Sequence, residues 1–314
     1  VSTTLGSHLL TAGSELRRTT LTHNQNLGSE TEVDQQAVYL QDEFSLGALD
    51  VTLGGRWDDH EVYGGKFSPR LYGIYNLTDN WVLKGGAGKA FKAPDITQSD
   101  DTYSVLACRG MCQIVGNPDL KPETSVSYEL GTLYQNERLQ AGIMFFNNDI
   151  EDMIVSDSWR AGYRPKVMTY TNVSEARIQG YELQGRYAFT DTLAVHANYT
   201  YSDAEDRDTG EQLNYSPQHV ANAGIDWQAL PALGFNLDYQ YTGSQMLVVP
   251  AKSASFESGA YDTVSVSTKY QATKELALKA GLNNLTNTKR DDVAQSIDHI
   301  LMGRTVFVGF SYDL

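Results

Sequence analysis

Apolar and polar residues alternate along most of this chain. In Leu233–Tyr241 one face carries Leu233, Phe235, Leu237, Tyr239 and Tyr241, and the other Gly234, Asn236, Asp238 and Gln240. Leu193–Tyr201, Leu49–Trp57 and Tyr181–Phe189 repeat the pattern. A repeat of two belongs to a β-strand with one apolar and one polar face, and helical spacing fits none of these segments. About fourteen such segments are predicted, near 7–22, 32–46, 48–60, 65–77, 80–91, 122–134, 138–151, 167–189, 192–205, 216–229, 233–246, 261–272, 275–287 and 301–314.

The connections sort by length. Short turns fall at Leu46–Leu49, Leu77–Asn80, Gln135–Arg138, Thr190–Thr192, Leu230–Leu233 and Gln271–Lys274. Long loops cover 23–31, 92–121, 152–166, 206–215, 247–260 and 288–300, with 61–65 a modest exception. Short turns on one rim and long loops on the other predict an all-β, antiparallel, up-and-down transmembrane barrel. A soluble sandwich has no reason to sort its loops this way. Trp57, Trp81, Trp227, Tyr134, Tyr187, Tyr201, Tyr241 and Tyr270 fall near strand ends on the apolar face, where amphipathic rings suit a bilayer interface. Arg56, Asp58, Arg70, Lys84, Glu129, Gln140, Glu182, Arg186, Asp226, Asp238 and Lys279 fall on the polar face, expected to line a wet lumen. Val306, Val308, Phe310, Tyr312 and Leu314 carry an apolar face to the last residue, as a wall strand requires.

Composition narrows the function classes. Formal net charge is −15, with 24 Lys+Arg against 39 Asp+Glu, and no basic run exists. That balance excludes a nucleic-acid binder. No apolar stretch is long enough for a transmembrane helix, and residues 1–10 show no secretory leader.

Ala90-Phe-Lys-Ala-Pro94 and Gly116-Asn-Pro-Asp-Leu-Lys-Pro-Glu-Thr-Ser125 bring a known family into view. So, in order, do His8–Glu15, Tyr39–Phe44, Phe67–Arg70, Ser127–Gly131, Tyr170–Val173, Gly180–Leu183 and Leu282–Asn287. Together they resemble the β-barrel of TonB-dependent outer-membrane receptors, the ferric-siderophore importers, and most of all the ferric enterobactin and colicin receptor type. The family carries a plug domain, a TonB box and a 22-stranded barrel. Against that pattern, residues 1–314 are expected to form the C-terminal portion of the barrel, without plug or box. A first and last strand left as edges would then need the remainder of the wall.

The resemblance implies an outer-membrane receptor of a Gram-negative bacterium with its C-terminus in the periplasm. It would bind a ferric siderophore, expected to be a catecholate, and import it through the TonB-ExbB-ExbD complex. Outer-membrane lipid and lipopolysaccharide are expected neighbours, and colicins or phage are possible users of the loops. Iron would arrive inside the ligand, so no resident cofactor or metal is expected. A passive porin, and a cobalamin or other receptor of the same family, remain as alternatives.

A ferric catecholate is anionic and aromatic, so Arg or Lys and Tyr in the long loops are the candidate ligands. They are Gln98, Tyr103 and Arg109, with Gln113 beside them, in the longest loop, and Arg160, Tyr163, Arg164, Lys252 and Arg290, with His299, in the others. Cys108 and Cys112 are the only cysteines. Their spacing could supply half a metal site, but no neighbouring pair completes one. In an oxidising periplasm a small loop disulfide is the expectation. No catalytic or metal motif occurs among His8, His23, His60, His196, His219 and His299. Gly85-Gly-Ala-Gly-Lys89 lacks phosphate-loop spacing and lies inside a strand. The chain is not expected to be an enzyme.

Overall fold

The computed structural model describes residues 1–22, 30–107, 112–157, 166–249, 254–289 and 302–313. All fourteen expected strands are present. They are β2 (His8–Thr22), β3 (Glu30–Leu46), β4 (Leu49–His60), β5 (Gly64–Thr78), β6 (Trp81–Lys92), β9 (Glu123–Gln135) and β10 (Leu139–Asp157). After these come β11 (Lys166–Thr190), β12 (Leu193–Asp206), β13 (His219–Leu230), β14 (Leu233–Thr242), β17 (Tyr261–Gln271), β18 (Leu276–Asn283) and β19 (Thr305–Tyr312). A short β1 (Ser2–Leu5) adds to the near edge through an antiparallel ladder with β2. Each of these strands pairs antiparallel with the next along the meander.

Short turns rest on local chemistry. Gly6 and Gly47 stand at φ +63° and +64°, the left-handed region that lets two-residue turns close tightly. Asn136 shapes the β9–β10 turn, where its Oδ1 accepts the N–H groups of Arg138 (2.9 Å) and Leu139 (2.7 Å).

Register aligns the apolar faces into rows. Val38, Trp57 and Phe67 stand side by side on β3, β4 and β5. Leu130, Phe145, Tyr181 and Tyr201 do so across β9 to β12. These rows have no protein cover: Trp57 is 49% exposed and Val308 82%. The accessible surface is 19361 Å², against about 13,000 Å² expected for a soluble monomer of this mass. Only a few small clusters are buried among the described residues, such as Ala176, Ala204 and Leu213 beneath Ile150, Met153 and Ile178. A soluble sandwich would enclose its aromatic rows. Here they form one continuous outward face, which hydrocarbon can solvate.

The opposite face is polar and ion-paired. Arg56 donates to Asp58 (2.9 Å) and to Glu15 (3.1 Å), tying β4 to β2. Arg186 donates to Asp226 at 2.8 Å, with Asn236 on the other carboxylate oxygen at 2.7 Å. Among the described residues no ladder joins β19 to β1, so the sheet is open at both edges.

Two features were not legible as strands. The long segment after β6 carries α1 (Ile96–Ser99) and a hairpin of β7 (Ser104–Ala107) and β8 (Cys112–Val115). The segment after β14 carries a separate hairpin of β15 (Gln245–Val249) and β16 (Ala254–Ser258). The wall also divides at one level. The β5–β6 ladder ends at Arg70–Gly88, while β5 runs on to Gly64 against β4 and β6 to Lys92 against β9.

Candidate ligand vestibule

The long-loop rim is built outward from the polar face. Arg17, Gln35 and His60 are cross-strand neighbours at the tops of β2, β3 and β4. Tyr63 follows in the turn above them, and its ring centroid lies 5.0 Å from that of His60. Phe91 and Lys92 at the end of β6, and Asp95 ahead of α1, close the opposite side. Together these groups enclose a cavity of about 290 Å³.

Electrostatics in this cavity are balanced. Arg17 reaches Glu15 at 2.8 Å and Lys92 reaches Glu123 at 3.2 Å. Burial pushes the Tyr63 phenol up, against a hydrogen bond with Ser99 that lowers it. Burial also pushes His60 down. Its Nδ1 accepts the Val62 N–H at 3.2 Å, which only the neutral ring with a free Nδ1 can do. Tyr170, on the extension of β11, is pushed up by burial, with Tyr103 and Asp95 adding to the effect. Phenols, cations and a neutral imidazole thus surround a polar mouth. That set can stack on aromatic rings and pair with delocalised negative charge.

Two asparagines hold the covering segment in place. Asn117 donates from Nδ2 to the Tyr170 carbonyl at 2.9 Å. Asn172 accepts the Lys121 N–H at 2.9 Å and donates to the carbonyls of Lys121 (3.0 Å) and Asp152 (2.6 Å). Further up, β8 pairs parallel with β11 from Cys112–Lys166 to Ile114–Met168. The longest loop is therefore fastened to the β10–β11 ribbon and leans over the lumen.

Of the expected ligand residues, Gln98 and Tyr103 are described. Gln98 spends its side chain on α1: its Oε1 accepts the Asp95 N–H at 2.9 Å, half of a capping box. Tyr103 is half-buried on the same segment, and its carbonyl accepts the Gly116 N–H at 3.3 Å. Gln113 donates to Ser104 across the β7–β8 hairpin. Arg109, Arg160, Tyr163, Arg164, Lys252, Arg290, His299 and Cys108 lie outside the described residues. Cys112 is disulfide-bonded and buried. Arg17, His60, Tyr63, Lys92 and Tyr170 were not expected as ligands. Tyr63 stands in the turn between β4 and β5, and the others lie on strands rather than in the long loops. Lys92 and Tyr170, each inside a family-like motif, carried a sequence signal.

A family model described as "TonB dependent receptor-like, beta-barrel" matches residues 2–285. The iron-regulated outer membrane virulence protein of Vibrio cholerae is 30% identical over 90% of this chain and 46% of its own length. A ferric enterobactin receptor of Pseudomonas aeruginosa, PirA, is 29% identical over 86% of this chain and 39% of its own. Among solved structures, a variant of the ferric enterobactin receptor of Pseudomonas aeruginosa in complex with enterobactin superposes with a TM-score of 0.82 at 26% identity. That match covers 99% of this chain and 53% of the other. The chain thus spans about half the length of the relatives it matches. The uncovered aromatic rows, the loops sorted by rim and this match over most of the sequence place the chain in the TonB-dependent receptor β-barrel family.

Proposed function

We propose that this chain is part of an outer-membrane receptor that captures a ferric siderophore, most readily a catecholate, and passes it inward in a TonB-dependent manner. The observation that carries this reading is the vestibule. A fastened loop and the tops of β2, β3 and β4 enclose phenols and cations on the lumen side of the long-loop rim. Relatives named as ferric enterobactin receptors support the ligand class. Tyr63, Tyr103 and Tyr170 would stack on catechol rings. Arg17 and Lys92, with Arg109, Arg160, Arg164, Lys252 and Arg290 from the loops, would meet the anionic charge. Tyr163 would add a further ring. Iron would travel as cargo inside its ligand. Binding and transport, not catalysis, are the activity. The long loops would face outside, the C-terminus would lie in the periplasm, and the TonB-ExbB-ExbD complex would supply energy. Colicins or phage would meet the same loops.

The test is uptake of radioiron-labelled enterobactin by cells that depend on this protein. Uptake that stops when TonB is deleted supports the reading. Uptake that persists without TonB returns the passive porin reading. A second ligand class is favoured by relatives named vitamin B12 transporter, one of them 27% identical over 88% of this chain. Cobalamin uptake without enterobactin uptake would establish it.

A further inference from the structure

Below the vestibule the inner wall opens into a second bay, centred on Arg70. The β5–β6 ladder ends at Arg70–Gly88, and Pro69 beside it has no N–H with which to continue. A cavity of about 430 Å³ lies there, with Gln41, Arg56, Ser68, Arg70 and Ser127 among its walls. Gly54 on β4 and Gly88 on β6 flank Arg70 in register. Both are uncovered: a Cβ at Gly54 would meet nothing nearer than 3.9 Å, and one at Gly88 nothing nearer than 3.6 Å. By contrast, Tyr72 lies on Gly86, Phe146 on Gly180 and His196 on Gly224. The space beside Arg70 is left open where the rest of the wall packs such gaps closed.

Arg70 also differs from the other arginines of the polar face. Arg17, Arg56 and Arg186 hold Glu15, Asp58 and Asp226 at 2.8, 2.9 and 2.8 Å. Among the described residues Arg70 has no carboxylate within ion-pair distance and donates no hydrogen bond. Its guanidinium carbon stands 5.6 Å from the Tyr72 ring centroid, a stack that steadies the group while its N–H donors stay open. Inward positions on β6 read Lys92, Ala90, Gly88, Gly86 and Lys84. At about 3.4 Å per residue and a tilt of about 40°, Lys84, Gly88 and Lys92 stand roughly 8, 18 and 29 Å above Trp81. Arg70, level with Gly88, is thus the middle step of a cationic column that begins beside the vestibule. Glu129 on β9 faces the stretch between Arg70 and Lys84, yet among the described residues neither cation pairs with it. Farther along the sheet, the inner face of β11 to β14 carries Glu182, Asp226 and Asp238, so the column keeps to one side of the lumen.

We propose that this bay is a station inside the lumen for an anionic ligand whose charge is spread over paired oxygens, the class to which a catecholate chelate belongs. The forked N–H groups of Arg70 take two of those oxygens, and the bare backbone at Gly54 and Gly88 leaves room for planar rings on either side. The ligand meets Lys92 and the vestibule first, Arg70 about 10 Å lower, and Lys84 about 10 Å lower again. In a chain of net charge −15, three cations on one wall give an anion one favoured side to follow. The station acts on passage rather than capture, because it lies below the fastened loop. This deepens the receptor reading above and rests on it.

The test separates adsorption from uptake in cells that depend on this protein, with radioiron-labelled enterobactin as the probe. Adsorption is read on chilled, unenergised cells, and Vmax of uptake on energised ones. The variants are Arg70→Gln, Arg70→Lys and Gly88→Val. Adsorption affinity is expected to stay within about twofold of wild type in all three. Uptake Vmax should fall about fivefold in Arg70→Gln, the upper end for an ion pair open to solvent, fall severalfold in Gly88→Val, and stay near wild type in Arg70→Lys. Should Arg70→Gln fail to fold, Gly88→Val carries the test, since it keeps the charge and fills only the bay. Unchanged Vmax in the folded variants overturns the station, and an equal loss of adsorption moves Arg70 to capture and overturns its part in passage. A lowered urea midpoint in ligand-free Arg70→Gln assigns the anion to the protein's own chain and overturns the station as well. Absence of enterobactin uptake in the wild type would instead remove the receptor reading on which the station rests.

Discussion

The outward face can be tested by moving one charge between two adjacent residues. Leu53 and Thr52 are neighbours on β4, with side chains on opposite faces. Leu53 is 44% exposed, with Leu71 and Asp42 as cross-strand neighbours, the Asp42 carboxylate being already engaged by His8 at 2.8 Å. Thr52 faces Glu43 and Tyr72 on the polar side. Leu53 lies four residues into β4, about 14 Å along the strand, hence about 10 Å into an apolar band about 25 Å tall. An arginine near the midplane of a lipid-facing wall costs about 2–4 kcal/mol. On a soluble surface the same exposed residue would tolerate arginine within about 0.5 kcal/mol. Thr52→Arg, beside Glu43 in a wet lumen, is expected to stay within that smaller range. Urea unfolding of both variants in vesicles, followed by tryptophan fluorescence, gives the difference directly. A factor of about 30 or more in the unfolding constant between them is expected. If Leu53→Arg and Thr52→Arg agree within about 0.5 kcal/mol, the outward face does not meet lipid and the barrel argument fails.

His60 has its pKa lowered by burial, so the unfolded chain binds its proton more readily, and its contribution weakens as pH falls through the ordinary histidine value. The protection factor of the Val62 amide, corrected for the intrinsic exchange rate, should therefore fall between about pH 7.5 and 5.5 in wild type and lose that pH dependence in His60→Gln. Asn172→Ala removes three hydrogen bonds from the loop clasp; at about 1 kcal/mol or more of local opening energy, exchange at the Lys121 amide should rise about tenfold, with the global midpoint little changed. A Cβ at Gly180 would meet the Tyr201 carbonyl oxygen, which is backbone and cannot swing away. Gly180→Ala should cost about 1–3 kcal/mol in the unfolding assay, while Gly185→Ala, whose Cβ meets nothing closer than 3.9 Å, should be nearly neutral. Tyr63→Ala should weaken ferric enterobactin binding about fivefold while Tyr63→Phe keeps most of it, because the ring supplies stacking worth about 1 kcal/mol; equal loss in both would assign the role to the hydroxyl.

The wall was legible in the sequence because its rule is local. One residue of register moves a whole strand's apolar set to the wrong face. Leu193–Tyr201 and Leu233–Tyr241 therefore announce their pleat without any knowledge of their neighbours. Loop parity was legible for a related reason: the two rims meet different surroundings, and chain length records which rim is free to elaborate. The vestibule obeys no such rule. His60 and Arg17 sit 43 positions apart in the numbering, and only the ladder through Gln35 brings them together. Gln98 was expected as a ligand because it is a polar residue of the longest loop, and the structure adds a second role for it, in which its Oε1 caps α1. Asn117 and Asn172 were visible as parts of family-like motifs, yet their work is structural. They hold a long segment over the lumen at a cost in side-chain freedom that a flexible loop would avoid. A vestibule that must present phenols and cations in a fixed arrangement has reason to bear that cost, since ordering the groups before the ligand arrives leaves less to be ordered on binding.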